Sequence, residues 1–173
     1  MAWTVEKIGG TAMLDFDAVL NNVVLRGESP YERLLVVSAY GGMTDALLEH
    51  KKSGAPGVYA HFAENDDREA WGRAFTALRA RFAEHNRREF PDSLARGEAD
   101  RFIQARLDEA EACLRRLEAL CGHGHFQRDD HLATVREMLA SLGEAHSAFN
   151  LAKRLRQEGL RARFLDLTGW DGA

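Results

Sequence analysis

Two glycine pairs constrain this chain more than any other feature. "VEKIGGTAM" (5–13) places Val5 and Ile8 at the end of a short apolar segment and follows them with Gly9-Gly10. "RLLVVSAYGGMTD" (33–45) runs a continuous apolar segment into Gly41-Gly42. Between them Phe16, Val19, Leu20, Val23 and Val24 recur at helical spacing over 15–26, and Gly27, Ser29 and Pro30 make a turn. The pattern predicts a strand at 2–8, a helix, and a second strand at 33–39 that is apolar enough to be buried on both faces. That is a βαβ unit with parallel strands and a right-handed crossover. In it, both glycine pairs leave the carboxyl ends of strands and face one crevice.

The remainder is more helical. Trp71, Phe75, Leu78 and Phe82 form an apolar stripe within 59–88, and the acidic run "ENDDRE" (64–69) reads as a solvated helix start. "EFPDSLARGEAD" (89–100) reads as a connector, with Pro91 as the helix stop. Ile103, Leu107, Ala110, Leu114, Leu117 and Cys121 share one face of a second helix over 99–121, suited to antiparallel packing on the first. Residues 122–130 read as a loop. A third helical region runs from about 131 to 158 and closes at Gly159, and "LRARFLDLTGW" (160–170) reads as a third strand. The expected architecture is α/β: a three-layer αβα arrangement on a mostly parallel sheet, with a helical hairpin (about 59–121) inserted between the second and third strands.

Composition excludes several classes of function. With 45% hydrophobic and 29% charged residues and only three prolines, the 173-residue chain can bury a core and is not disordered. A net charge of −4, with no unbalanced basic block, argues against a nucleic-acid partner. No apolar run is long enough to cross a membrane and the N-terminus shows no signal pattern, so a cytoplasmic protein is expected. Cys113 and Cys121 lie in one helical stretch outside any metal-binding frame and read as reduced thiols. His123, His125 and His131 match no zinc spacing and read as solvated loop residues, so no metal site is expected. His146 reads as a packed helix histidine, with a place in the crevice as the alternative.

Three stretches could carry chemistry. Glycines after a strand let backbone N–H groups approach an anion, and Lys7 beside them could set a full charge against a transferring phosphoryl group. A plain glycine turn is the competing reading. "SAYGGMTD" (38–45) repeats the arrangement, so Lys7, Thr11, Ser38 and Thr44 around the two glycine pairs resemble an anion site. In "SLGEAHSA" (141–148), Ser141 and Glu144 fit a capping box with Gly143 as a helix break. Alternatively, Glu144 shares the apolar stripe of Ala148, Leu151 and Leu155, and an inward carboxylate there would suit the ammonium group of a substrate. Both readings remain open.

In this order, "VEKIGGTAM", "VVSAYGGMTD" and "SLGEAHSAFNLAKRL" resemble the aspartokinase branch of the amino-acid kinase superfamily. That family shows K-F-G-G-T-S at its first strand, V-S-A-x-x-G-x-T at its second and S-x-G-E later. The wording of the whole chain is most similar to aspartokinases of ectoine biosynthesis. The resemblance implies a transferase that phosphorylates the β-carboxylate of L-aspartate with Mg-ATP. It implies that Lys7 neutralises the transferring group and that Gly9, Gly10, Gly41 and Gly42 offer N–H groups to phosphate oxygens. Thr11, Ser38 and Thr44 would hold aspartate, and Glu144 would meet its α-ammonium.

The family's phenylalanine and serine are here Ile8 and Ala12, and Ala12 has no hydroxyl to bond with. The family's glycine-rich nucleotide loop and second lysine would lie beyond Ala173. The expectation is therefore an N-terminal, amino-acid-binding lobe (1–173) that partners the remainder of a kinase chain and is inactive alone. The alternatives are a kinase of another amino acid, or a non-catalytic interaction module that dimerises through the helices of 59–121.

Overall fold

The computed structural model describes residues 3–27, 29–64 and 69–169. They gather into two compact units, one from 1–41 with 143–173 and the other from 42–142. In the first unit, β1 (Thr4–Ile8) and β2 (Arg33–Val37) pair in parallel, Thr4 opposite Arg33 through to Ile8 opposite Val37. The connection between them is helical, as the spacing predicts. Asp15 caps α1 (Phe16–Val19) by accepting the Ala18 N–H at 2.9 Å, and the helix widens into a π-turn over Leu20–Val24. Arg33 Nη1 donates to the Val23 and Val24 carbonyls at that turn's end (2.5 and 3.2 Å), satisfying acceptors the helix leaves over.

One face of this sheet carries the core. Ile8, Met13, Val19, Val24, Tyr40, Leu151 and Leu155 are buried together, with Leu35 and Val37 packed against them. The other face differs from the sequence expectation. Val5, Leu34 and Val36 are 67%, 39% and 46% exposed, so β2 is not buried on both faces among the described residues. Side chains alternate along a strand, and Leu34 and Val36 point away from the side that α1 and the core occupy.

The predicted third strand is also absent. Residues 161–167 pair with no neighbouring strand among the described residues, and Trp170 lies outside them. Alternate side chains nevertheless dock: Leu160 and Ala162 lie on the core, and Phe164 meets Phe149 edge-on at 5.8 Å. The Ala162 backbone is satisfied locally, its N–H donating to the Leu160 carbonyl and its carbonyl accepting from Arg156 Nε, each at 3.0 Å. A period-two pattern thus fixed which side chains are buried without supplying a ladder.

The second unit is helical. It holds α2 (Met43–Leu47), α3 (Val58–Glu64), α4 (Ala70–Glu89) and α5 (Ser93–Cys121), with the start of α6 (Leu132–Gln157). The middle of the acidic run at 64–69 lies outside the described residues. The connector predicted over 89–100 is much shorter. Asp92 accepts the Ala95 N–H at 2.7 Å and starts α5 directly after Pro91, so the capping aspartate decides the boundary. Asn86 near the end of α4 bonds Asp100 near the start of α5 (2.8 Å), while Arg79 reaches Asp108 and Glu111 further along (each 2.8 Å). The reversed order makes the pair antiparallel, over a core that includes the fully buried Phe75, Phe82, Ile103 and Leu107. Glu49 and Arg136 form a two-pronged ion pair (both bonds 2.8 Å) that ties the turn after α2 to α6.

His85 on α4 is held neutral. Burial, with the charge of Arg88 second, pushes its imidazole from 6.5 down to about 4. The unfolded chain then binds more protons than the folded one between those values, so stability is full above about pH 6.5 and declines as pH falls towards 4. We expect a loss on the order of 1–3 kcal/mol across that window, read as a falling urea midpoint, and a flatter profile in His85→Gln.

Candidate active site

Close approach of two backbones builds the site in the first unit. The ladder continues past β2 with the Ser38 N–H donating to the Ile8 carbonyl (3.0 Å). One step further, the Gly41 N–H donates to the Gly10 carbonyl, also at 3.0 Å. A Cβ on Gly10 would stand 2.3 Å from the Ala39 carbonyl oxygen, so only glycine lets these loops meet. Gly9 is different, since the nearest atom to a Cβ there is Lys7 Nζ at 3.9 Å. The lysine ammonium therefore lies over the first glycine loop. Lys7 is exposed, and no acid pairs with it among the described residues. Thr11 is exposed at the start of a short turn over Ala12–Leu14, and its side chain caps nothing.

One sequence-derived role changes. A backbone amide has one proton, and that of Gly41 is already given to Gly10. In this conformation the Gly41 N–H is engaged by the Gly10 carbonyl and is not free for a phosphate oxygen. Gly42 and Thr44 belong to the second unit. Gly42 precedes α2 with φ of +77°, a left-handed conformation that favours glycine, and a Cβ on it would lie 3.8 Å from Arg81 Nη2. Thr44 is partly buried in the first turn of α2.

The helix carrying Glu144 also departs from the sequence reading. Ser141, Gly143 and Glu144 all lie inside the continuous α6, so there is neither a capping box nor a break at Gly143. Ser141 Oγ donates to the Met138 carbonyl at 2.7 Å, an ordinary use of serine within a helix. Glu144 is exposed and not on the buried stripe. That stripe runs through Ser147, Leu151 and Leu155, which reaches back to Gly143, one residue short of the carboxylate. Glu144 is thus a solvent-facing acid without an ion-pair partner among the described residues.

Behind this surface lie buried polar residues of which the sequence reading named only His146. Ser147 is fully buried and its hydroxyl donates to the Ser38 carbonyl at 2.8 Å. His146, also fully buried, meets the Tyr40 ring edge-on at 5.5 Å and bonds the buried Asn150 amide at 3.1 Å. The packed reading of His146 is the one seen. The available signal was three polar residues, His146, Ser147 and Asn150, interrupting the inward face of an otherwise apolar helix. Among the described residues, no cluster of His, Cys, Asp and Glu could hold a metal ion.

Among the described residues, the first unit thus carries an unpaired ammonium at Lys7 beside the first glycine loop and an unpaired carboxylate at Glu144 on α6. Comparison with known proteins is specific. The amino acid kinase family model matches residues 2–172. Aspartate kinase Ask_Ect of Stutzerimonas stutzeri (strain A1501) is 51% identical over 170 residues, which is 96% of this chain and 36% of that protein. The chain thus spans about a third of the length of the curated relative it matches.

The two glycines of the first loop should respond differently to a methyl group. Gly10→Ala forces the loops apart and should cost roughly 1–3 kcal/mol, whereas Gly9→Ala should stay within about 1 kcal/mol. Urea unfolding of both variants measures the contrast, and equal losses would refute the close-approach role of Gly10.

Proposed function

The chain belongs to the amino acid kinase family, and on that premise we propose that it is the amino-acid-binding part of an aspartate kinase. The reaction moves the γ-phosphoryl group of ATP to the β-carboxylate of L-aspartate: a carboxylate oxygen–phosphorus bond forms, the bond to the β-phosphate oxygen breaks, and ADP leaves with 4-phospho-L-aspartate. The observation that carries this reading is the unpaired Lys7 ammonium over a glycine loop that a second glycine loop pins in place. The identity to an aspartate kinase over nearly the whole chain supports the choice of amino acid. The wording of the motifs supports a place in ectoine biosynthesis.

Phosphoryl transfer needs positioned charge more than covalent participation by the protein. In this reading Lys7 offsets the negative charge of the group in flight, and Gly9, Gly10 and Gly42 let backbone donors approach its oxygens. Ser38, Thr44 and Thr11 offer hydroxyls to aspartate. Glu144 faces solvent and is free to receive the α-ammonium, so a substrate with a free amine is preferred over an N-acylated one. ATP supplies the phosphoryl group and Mg²⁺ would shield its charge; no residue of this chain is assigned to the metal. The remainder of a longer kinase chain is the proposed partner for completing the nucleotide site. The exposed face of Val5, Leu34 and Val36 favours contact with further protein, a homodimer included. No described helix is long and apolar enough to cross a membrane, and a cytoplasmic location fits the substrates.

Steady-state kinetics of the longer kinase that contains this segment test the assignment. Lys7→Ala should lower kcat by about 10²–10³ with little change in the KM for aspartate. Glu144→Gln should raise the KM for aspartate roughly tenfold and leave the KM for ATP alone. Unchanged kinetics in Lys7→Ala would remove the lysine from the reaction.

A further inference from the structure

The buried hydroxyl of Ser147 contacts the backbone of both Ser38 and Glu144, the two residues proposed above to hold the amino acid. It lies 2.8 Å from the carbonyl oxygen of Ser38, across 109 residues of sequence, and 3.0 Å from that of Glu144 on its own helix. Serine within a helix ordinarily bonds a carbonyl one turn back. Here the long-range contact is the shorter one, and a hydroxyl has a single proton to give. The Ser38 backbone is consequently held from two sides, by β1 through its N–H (3.0 Å to the Ile8 carbonyl) and by α6 through its C=O.

The preceding residue on the helix adds a second contact to the same segment. His146 packs edge-on against Tyr40, two residues beyond Ser38, and is itself fixed by Asn150. Two consecutive residues of α6 thus grip the Ser38–Tyr40 segment, all of them within the first unit. Glu144 sits one turn earlier on the same rigid helix. The helix fixes where its carboxylate stands, and the Ser147 bond fixes where Ser38 stands relative to that helix.

We propose that Ser147 is a positioning residue for the amino acid, setting the offset between Ser38 and Glu144 while touching no substrate itself. The inference rests on the reading of those two residues as amino-acid contacts. A zwitterion held at its ammonium by one and along its body by the other tolerates little change in that spacing, because a misplacement of about 1 Å already costs reactivity. The nucleotide makes no use of this offset. Loss of the hydroxyl should therefore appear in one substrate and not the other, which a general loss of packing would not produce.

The test compares Ser147→Ala, Ser147→Thr and Glu144→Gln in the longer kinase that contains this segment, with KM measured separately for L-aspartate and ATP. Ser147→Ala should raise the KM for aspartate about tenfold at unchanged KM for ATP, and Ser147→Thr, which keeps the hydroxyl, should recover most of the loss. If Ser147→Ala does not fold, Ser147→Cys replaces it: the weaker donor should give an intermediate KM for aspartate with the same split. An unaltered KM for aspartate in the alanine variant overturns the inference, as does an equal rise for both substrates. Glu144→Gln separates the two levels. A raised aspartate KM there beside an unaltered Ser147→Ala overturns the positioning role alone, and an unaltered Glu144→Gln overturns the site reading beneath it.

Discussion

The hydrogen bond from Gly41 to Gly10, together with the missing side chain at Gly10, sets the geometry on which the rest of the candidate site depends. Parallel strands diverge at their ends unless something holds the following loops together. Here the ladder of β1 and β2 is prolonged by Ser38 onto Ile8 and by Gly41 onto Gly10, so the two loops continue the sheet as one rigid rim. The approach is close enough that the Ala39 carbonyl occupies the space a Cβ would need. A rim made of backbone has little rotamer freedom to lose when a ligand arrives, which is what a reaction dominated by positioning requires.

Helix α6 supports that rim from behind with polar contacts instead of apolar ones. Burying Ser147, His146 and Asn150 is costly unless their donors and acceptors are engaged, and the bonds to the Ser38 carbonyl and between His146 and Asn150 offset part of that cost. An apolar stripe could pack at several rotations of the helix with similar energy. A hydroxyl aimed at one carbonyl has one correct rotation, so the polar face specifies where Glu144 comes to stand.

What the sequence made legible follows from which physics is local. The βαβ unit, the pairing of the glycine loops and the antiparallel α4–α5 hairpin were readable because apolar spacing and glycine placement act over a few residues. Residues 160–164 show the limit. Leu160 and Ala162 pack on the core, yet the expected strand is not there, because a strand exists only through a neighbour's backbone and no spacing rule supplies that neighbour. Ser141 and Glu144 show another. A capping pair and an interior helical pair have the same spelling, and the helix register that decides between them is set by Ser147, Leu151 and Leu155. The inward carboxylate inferred for Glu144 is not found: one residue of register turns it to solvent.

The position of Lys7 completes the logic of the rim. Strand alternation places it on the same side as Val5, opposite Val36 in the register, on the exposed apolar face and not over the core. Its aliphatic stem can lie along that face while the ammonium reaches the glycine loop, an arrangement long cationic side chains favour. An exposed ammonium contributes little by itself: two unit charges 4 Å apart attract by about 1 kcal/mol in water and about 4 kcal/mol at an effective dielectric near 20. Under the proposed function the lysine would act strongly only with water displaced from the face it stands on, and the apolar surround of Val5, Leu34 and Val36 would make that displacement favourable.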